Sequence, residues 1–357
     1  MKPWVATVLL AACSGPHLAS LDATPVTDGT SSDGADGADG ATATDFTFVI
    51  VGCNRAQKAD LGASGPTTAN LAQLDRTFAE IAALTPTPKL LFFTGDMVYG
   101  LQTAATLQPE LEAWLAHYEA SPLPATGIEL VAVTGNHEVQ NKSNGVETAY
   151  AAAETTWTTV MAAYIRGSNG PTAGGADQLQ TDQSRLTYSF DYRGTHFVII
   201  DTDPVGADGT VPATWIAADV AAAHAAGAAH IFAISHKPAY PSPLSTDGGL
   251  AVPANRDALW TALESGHAEA MLSAHNHLWF KTRPNRTWQI VAGNGGSLLE
   301  SGVTGADAYF GFTVVSVGAR VSVTSYGRDV PAAGYLAPAP VAQYPTTIRD
   351  TADVTWP

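Results

Sequence analysis

The sequence predicts an α/β fold in which helices cover β-sheets. Over residues 46–133, short apolar runs alternate with segments of helical spacing in the order β-α-β-α-β, and this order is typical of a sheet flanked by helices. The run at residues 90–93 is apolar at every position, which suits a strand that is buried on both faces. It ends in Gly95-Asp96, so we expect a carboxylate at the carboxyl edge of the sheet, where α/β folds bind ligands.

The first half of the domain supplies three strands and two helices. Leu74, Phe78 and Ile81 recur with helical spacing on one face of the first helix. Pro86 follows and ends this helix, because proline lacks the backbone N–H that a helix interior needs. The predicted elements are strands 46–51, 90–93 and 128–133 and helices 70–84 and 109–118.

The second half of the domain adds further strands and helices. Residues 146–165 predict an insertion helix, which a Gly-rich loop at 167–183 follows. Gly194 and Gly318 mark the turns of two hairpins. The segment 331–357 is rich in proline and alanine and is predicted to be irregular. The predicted strands are 186–190, 196–200, 231–234, 270–272, 288–291, 310–317 and 320–326, and the predicted helices are 215–226 and 255–263.

The N-terminus has the pattern of an export signal. Lys2 precedes an apolar run at residues 4–12 that is too short to span a bilayer, and small residues lead to Cys13. Leu-Ala-Ala-Cys resembles the bacterial lipoprotein box, which implies a signal peptide at residues 1–12 and lipidation of the Cys13 thiol. The alternative is an ordinary signal peptide with a chance cysteine. We therefore expect an exported bacterial lipoprotein, periplasmic or at the cell surface, with a lipid anchor in the outer membrane.

An acidic tether is expected to follow this anchor. Residues 13–44 are rich in Asp, Gly, Ser and Thr and lack apolar periodicity, which is typical of a flexible linker. The folded domain is predicted at residues 45–328, with a Pro- and Ala-rich tail at 329–357. The formal net charge is -16, which argues against a nucleic-acid partner because phosphate backbones bind basic surfaces. We expect a monomer.

Four of the apolar runs end in residue types that bind metal ions. Carboxylate, amide oxygen and imidazole together suit Zn, Fe or Mn. A single Gly-Asp or a single histidine is usually a turn or a surface residue, but four strand ends with such residues favour one shared site. The candidates are Asp96, Asn136 with His137, His236, and His275 with His277.

These residues resemble the motifs of the calcineurin-like metallophosphoesterase family, which includes the purple acid phosphatases. The resemblance implies a four-layer α/β/β/α sandwich of two mixed β-sheets flanked by helices. It also implies one or two divalent or trivalent metal ions at the carboxyl edge of the sheets. The residues that carry it, within about residues 46–326, are Gly95-Asp96, Gly135-Asn136-His137-Glu138, His236 before Pro238, and His275-Asn276-His277.

The resemblance also implies a role for each residue. Asp96 would bridge two ions, and His137 would bind the phosphate and protonate the leaving group as general acid. The implied enzyme is a hydrolase of phosphate mono- or diesters that attacks with a metal-bound hydroxide, and its partner is a phosphorylated small molecule or a surface substrate. The remaining ligands would be Asn136, His236 and His275 for the second ion and His277 for the first.

The first motif departs from the family's pattern. Where the family has Asp-x-His after the first strand, this chain has Cys53-Asn54-Arg55. Three interpretations are open. Cys53 ligates the first ion as a thiolate while Arg55 binds phosphate, or Arg55 replaces that ion in a one-metal enzyme, or the site is degenerate and the protein is a catalytically silent, metal-binding surface lipoprotein. The intact His137 favours the first two, because a decayed enzyme has no need of its acid.

Overall fold

Two six-stranded β-sheets lie at the centre of the fold, with helices on both outer faces. The computed structural model describes residues 45–357. The strands are β1 (Phe46–Val51), β2 (Leu90–Thr94), β3 (Glu129–Val133), β4 (Gln140–Ser143), β5 (Val146–Ala149), β6 (Tyr188–Tyr192), β7 (Thr195–Ile200), β8 (His230–Ser235), β9 (Ala270–Ser273), β10 (Trp279–Thr282), β11 (Trp288–Ala292), β12 (Tyr309–Val317), β13 (Val321–Asp329) and β14 (Thr347–Asp353). The helices are α1 (Leu61–Ser64), α2 (Leu71–Ala82), α3 (Ala104–Ala120), α4 (Asn136–Val139), α5 (Ala151–Val160), α6 (Ala213–Ala225) and α7 (Pro253–Ser265).

Each large sheet combines parallel and antiparallel pairs. The first sheet has the order β14-β13-β12-β1-β2-β3, and β1, β2 and β3 are parallel. The second has the order β10-β11-β9-β8-β7-β6, and β7, β8, β9 and β11 are parallel. β4 and β5 form a separate hairpin. The two large sheets are therefore mixed, and their parallel strands carry the loops from which the functional side chains extend.

The side chains of successive residues in the central strands pack into two different hydrophobic cores, one on each face of the sheet. This explains why the apolar runs are unbroken. Phe48 and Phe92 pack between the sheets, where the ring centroid of Phe48 lies 5.3 Å from that of Phe232. Their neighbours Val49 and Phe93 belong to a second buried cluster on the helical side of the first sheet. Burying each side chain contributes roughly 1.5–3 kcal/mol, so both faces of these strands stabilise the sandwich.

Helices cover the outer face of each sheet and complete four layers. Outside the first sheet, Leu74 and Phe78 of α2 and Trp114 of α3 share a buried cluster with β1 and β2. Outside the second sheet, Ile216 of α6 and Leu259 of α7 share a cluster with β7, β8 and β9. The α/β/β/α sandwich that the resemblance implies is therefore confirmed.

The predicted insertion helix at 146–165 is wrong in its first part. β4 and β5 form a hairpin there, and α5 begins only at Ala151. The hairpin turns at Asn144-Gly145, whose φ angles are 50° and 83°. Asn-Gly favours such a turn because both residues tolerate positive φ, so this dipeptide was the available signal. The hairpin lines the cleft beside the candidate site.

The C-terminal segment, predicted to be irregular over 331–357, contributes a strand. β14 pairs antiparallel with β13 at the edge of the first sheet. Between these two strands, the carbonyl groups of Tyr335 and Ala337 accept hydrogen bonds from the side chains of Asn70 and Gln73 near the start of α2. These bonds attach the segment to the domain, although its proline-rich composition argued against regular structure.

Two further boundaries differ from the prediction. β10 was not predicted, since it has only four residues and follows directly on the His275-Asn276-His277 motif. α3 begins at Ala104, and Pro109, the predicted start, lies inside the helix. Residues 1–44 lie outside the described part of the chain, so the signal peptide, the lipidation of Cys13 and the tether remain predictions. Among residues 45–357, no helix has the length and apolar character needed to cross a membrane.

Candidate metal centre

Loops that follow five parallel strands meet at one edge of the sandwich. After β2, the chain turns at Gly95, whose φ is 82°, and reaches Asp96. A Cβ on Gly95 would lie 2.6 Å from the backbone of Gly135, so glycine is required where the loops after β2 and β3 touch. The side chains brought together are Cys53 and Arg55 after β1, Asp96 after β2, Asn136 and His137 after β3, His236 after β8, and His275 and His277 after β9.

His236 lies at the centre of a group of four potential ligand atoms. Its Nε2 is 3.2 Å from Asp96 Oδ1, 3.0 Å from Asn136 Oδ1 and 3.1 Å from His275 Nδ1. Atoms that bind one first-row ion at about 2.0–2.2 Å lie at similar separations from one another. These four side chains therefore have the spacing of a metal site.

The chemistry of the same four atoms also fits a cation. His236 Nδ1 lies 2.7 Å from the carbonyl oxygen of Thr94, which only accepts hydrogen bonds, so Nδ1 carries a proton. Nε2 then faces the oxygens of Asp96 and Asn136, while the Asn136 amide group donates elsewhere, to Glu147. Lone pairs that converge in this way need a positive charge between them. A Zn, Fe or Mn ion suits this mixture of oxygen and nitrogen donors.

The charges of the cluster shift its pKa values strongly. Burial lowers the pKa of His236, but the charge and hydrogen bond of Asp96 outweigh burial and raise that pKa above its usual value. Burial opposes ionisation of Asp96, yet the imidazoles of His137 and His236 favour its charged form and hold its pKa well below the usual range. Burial and the charge of His236 lower the pKa of His275. Without an ion, a proton on His236 supplies the positive charge, and this proton leaves when an ion binds.

The second oxygen of Asp96 faces a different set of groups. Arg55 Nε lies 3.1 Å from Asp96 Oδ2, and the Arg55 side chain is 11% exposed. His137 Nε2 and His277 Nε2 each lie 4.0 Å from the same carboxylate oxygen. His277 Nδ1 contacts the Leu298 carbonyl at 2.8 Å, and its Nε2 is buried without a hydrogen-bond partner in the described residues. The guanidinium of Arg55 and two imidazole nitrogens, Nε2 of His137 and Nε2 of His277, thus face this side.

The ring of His137 is oriented by the backbone. Its Nδ1 contacts the carbonyl oxygen of Tyr99, so the proton is on Nδ1 and the lone pair of Nε2 faces the centre. Burial, followed by the charge of Arg55, lowers the pKa of His137 to about 3. The imidazole is therefore neutral at neutral pH in the ligand-free chain, and it gains a second proton only when a negative charge arrives beside it.

Cys53 lies against the same cluster. It is fully buried, its φ is 59°, and its Sγ accepts a hydrogen bond of 3.2 Å from the backbone N–H of His275. The sulfur, a carboxylate oxygen of Asp96 and a ring nitrogen of His236 all lie within 4.8 Å of one another. Burial, and then the charge of Asp96, raises the pKa of the thiol well above its usual value. Only a bound cation would make this thiol ionise.

A sequence model of the calcineurin-like phosphoesterase family matches residues 56–279, which is more than half of the chain. The chain belongs to the calcineurin-like phosphoesterase family. The resemblance to this family that the motifs indicated is confirmed. No curated protein sequence matches the chain.

Two solved structures share the fold. The purple acid phosphatase PPD1 from yellow lupin (Lupinus luteus) seeds superposes with a TM-score of 0.53 and 16% identity, over 79% of this chain and 51% of that chain. PhoD superposes with a TM-score of 0.55 and 14% identity, over 88% of this chain and 70% of that chain. The chain spans about half the length of the purple acid phosphatase. At these identities, the similarity establishes the fold alone.

The family match begins directly after the unusual first motif. Residue 56 is the first matched position, so Cys53 and Arg55 lie just outside the region that resembles the phosphoesterase family. The other candidates all lie inside it, namely Asp96, Asn136, His137, His236, His275 and His277. The match therefore includes these six residues and does not include β1 or the first motif.

Glu138 has a structural role that sequence analysis did not assign. Its buried carboxylate ties the loop after β2 to the loop after β3 and so fixes the position of Asp96. An acidic residue directly after the candidate general acid was the available signal, but three of its four partners are distant in sequence. They are the backbone N–H groups of Asp96, Met97, Val98 and Gly135, at 2.8–3.2 Å from the carboxylate oxygens.

Glu138→Gln is expected to destabilise this phosphoesterase domain by about 2–4 kcal/mol, because its amide nitrogen would leave two backbone N–H donors unsatisfied. Urea unfolding measures the effect. The matched control is Glu112→Gln on α3, where the exposed side chain accepts one bond from Gln108, and we expect a change below about 0.5 kcal/mol there. Equal losses in both variants would show that Glu138 does not hold the two loops.

A cleft of about 560 Å³ opens beside the centre. The hairpin of β4 and β5 contributes Lys142 and Glu147 to its lining, and Lys58 lines it as well. Asp247 and Glu300 supply negative charge elsewhere in the lining. The volume suits a small polar molecule, and the mixture of charges gives the cleft no strong preference for a polyanion.

Proposed function

We propose that the protein is an exported, membrane-tethered hydrolase that uses a bound metal ion to cleave phosphomonoesters or phosphodiesters. The main support is the convergence of lone pairs from Asp96, Asn136, His236 and His275 beside an open cleft in a calcineurin-like phosphoesterase. The substrate would be a phosphorylated small molecule or a surface component. The net charge of -16 opposes binding of nucleic acid.

The four converging residues would hold a Zn, Fe or Mn ion. When bound, such an ion withdraws charge from phosphoryl oxygens and lowers the pKa of a water molecule. Neighbouring groups of the chain that do not bind the ion orient its ligands. The Thr94 carbonyl fixes the tautomer and the ring of His236, as outer partners of metal ligands generally do, and Glu138 fixes the backbone of Asp96.

His137 would protonate the leaving group. The Tyr99 carbonyl holds its ring so that Nε2 faces the centre. A phosphate group beside Nε2 brings negative charge that opposes the effect of Arg55 and raises the pKa of His137. The imidazole would therefore take up a proton together with the substrate and give it from Nε2 to the leaving oxygen.

A lipid on Cys13 would tether the enzyme, with residues 13–44 as a spacer. The support is the arrangement of Lys2, an apolar run and small residues before Cys13. Mass spectrometry of the N-terminal peptide from cell membranes tests this proposal. An acylated cysteine at the N-terminus would support it, and an unmodified Cys13 would contradict it.

The function is tested by the hydrolysis of two esters. Purified protein is expected to cleave p-nitrophenyl phosphate or bis(p-nitrophenyl) phosphate, and a chelator is expected to stop the reaction because it removes the ion. Asn136→Ala, purified in the same way, controls for a contaminating phosphatase. The second candidate function is a catalytically silent lipoprotein, which the substitution of Cys53 and Arg55 for Asp-x-His favours. A bound ion without turnover of either ester would support the silent protein and contradict the hydrolase.

A further inference from the structure

The two oxygens of Asp96 face opposite sides of the centre, and the two sides differ in whether they fit an ion. We propose that the centre holds one metal ion, on the side of His236, and that the guanidinium of Arg55 takes the place of a second ion and binds the phosphoryl group. The use of this phosphoryl binding in a reaction rests on the proposed hydrolysis. The number of ions does not, because it can be counted without turnover.

Arg55 occupies the position from which an ion would contact the second oxygen. Its Nε lies 3.1 Å from Asp96 Oδ2, which is the distance of a direct ion pair and leaves no room for an ion between the two groups. The Arg55 side chain is 11% exposed and Asp96 is 1% exposed. A guanidinium does not ligate metals, because it stays protonated and has no lone pair to offer.

The remaining groups on this side do not favour a second ion beside the guanidinium. His277 Nε2 and His137 Nε2 each lie 4.0 Å from Asp96 Oδ2. An ion held by these two imidazoles and the carboxylate oxygen would lie beside the positive guanidinium that already contacts Oδ2, and the two like charges would repel each other. Cys53 does not add a ligand on this side. Its sulfur lies within 4.8 Å of a His236 nitrogen and an Asp96 oxygen, and it accepts a hydrogen bond from the backbone N–H of His275. It is placed to contact the single ion.

Arg55 also has N–H donors that Asp96 does not use. Its Nε is bonded to Asp96, while its two Nη groups have no hydrogen-bond partner among residues 45–357, and the side chain lines the cleft. Paired N–H donors of a guanidinium match the geometry of phosphoryl oxygens and bind them with two parallel hydrogen bonds. The phosphoryl group would therefore lie between the ion and a cation that the chain itself provides.

Elemental analysis counts the ions. Wild-type protein loaded with excess Zn²⁺ and then gel-filtered is expected to retain about one ion per chain, and the double variant Cys53→Asp/Arg55→His, which restores Asp-x-His, about two. Lys58→His is the control, since it adds a histidine to the same cleft but keeps the guanidinium, and it should retain one. Two ions in the wild type would overturn the proposal. One ion in a double variant with a native circular dichroism spectrum would overturn it as well.

Phosphate binding tests the guanidinium without relying on the double variant. Calorimetric titration of the zinc-loaded protein with inorganic phosphate is expected to show about 10–100-fold weaker binding for Arg55→Met, because bidentate charged hydrogen bonds are lost. Arg55→Lys should recover part of the affinity, and Arg256→Met on the distant α7 should bind like the wild type. Equal affinity of wild type and Arg55→Met would overturn the role of Arg55.

These results are independent of catalysis. If no ester is hydrolysed but the ion counts and phosphate affinities are as expected, the proposed function fails and this inference stands. If esters are hydrolysed and the wild type retains two ions, the function stands and this inference fails.

Discussion

His137→Ala is expected to lower kcat by about 10²–10⁴-fold, which is the usual contribution of general acid catalysis. The loss should depend on the leaving group. Phenyl phosphate, whose leaving oxygen needs a proton, should be slowed more than p-nitrophenyl phosphate, whose leaving group departs readily as an anion. Steady-state kinetics of the two esters, compared as the ratio of kcat values, measures this dependence.

The matched control for this experiment is His117→Ala. His117 lies on α3, where it pairs with Asp75 at 2.6 Å and its side chain is 26% exposed, so its loss should leave both rates unchanged. If His137→Ala slows both esters by the same factor, His137 binds or orients the substrate and is not the acid. If it leaves both rates at the wild-type level, His137 has no part in the reaction.

Asp96→Asn is expected to lose the bound ion and to destabilise the fold. Loss of outer partners alone weakens metal sites by about 10–100-fold, so removing a charged ligand should weaken zinc binding by more than about 100-fold. The substitution also leaves the buried Arg55 guanidinium without its carboxylate, and such unpaired charges cost about 3–5 kcal/mol. Competition with a zinc chelator measures the affinity, and urea unfolding measures the stability.

Asp247→Asn is the control for this variant. Asp247 lines the same cleft but is outside the group around His236, so its amide should retain the ion and wild-type stability. A folded Asp96→Asn protein that binds zinc as tightly as the wild type would contradict the assignment of Asp96 as a ligand. Unchanged stability would contradict the importance of its pair with Arg55.

Sequence predicted those parts of the fold that depend on short-range patterns. The apolar run before Asp96 identifies a strand buried on both faces, and the residues that follow such strands meet because parallel strands end at the same edge. The Asn144-Gly145 hairpin carried a local signal that was missed in favour of a helix. β14 contains no proline but has only two apolar residues among its seven, so its sequence alone gave little signal, and it forms a strand by pairing with the edge strand β13.

The site was predicted less completely, because the contacts between its charged groups depend on the tertiary structure. Asp96 and His236 could be identified from motifs, whereas the four backbone partners of Glu138 lie up to 42 residues away. The sequence left two roles open for Arg55, which were binding phosphate beside a first ion or replacing that ion. Only the contact of Arg55 with Asp96 in the structure favours the second role. The low pKa of His137 likewise follows from burial and from Arg55, neither of which a motif records.

The most direct measurement is a titration of metal-stripped protein with Zn²⁺ in which bound ion and hydrolysis of bis(p-nitrophenyl) phosphate or p-nitrophenyl phosphate are followed in the same sample. We expect no turnover in the stripped protein and a rise that saturates at about one bound ion per chain, because one ion completes the group around His236. Turnover that persists without metal, or a fully loaded protein that hydrolyses neither ester, would contradict a metal-dependent phosphoesterase.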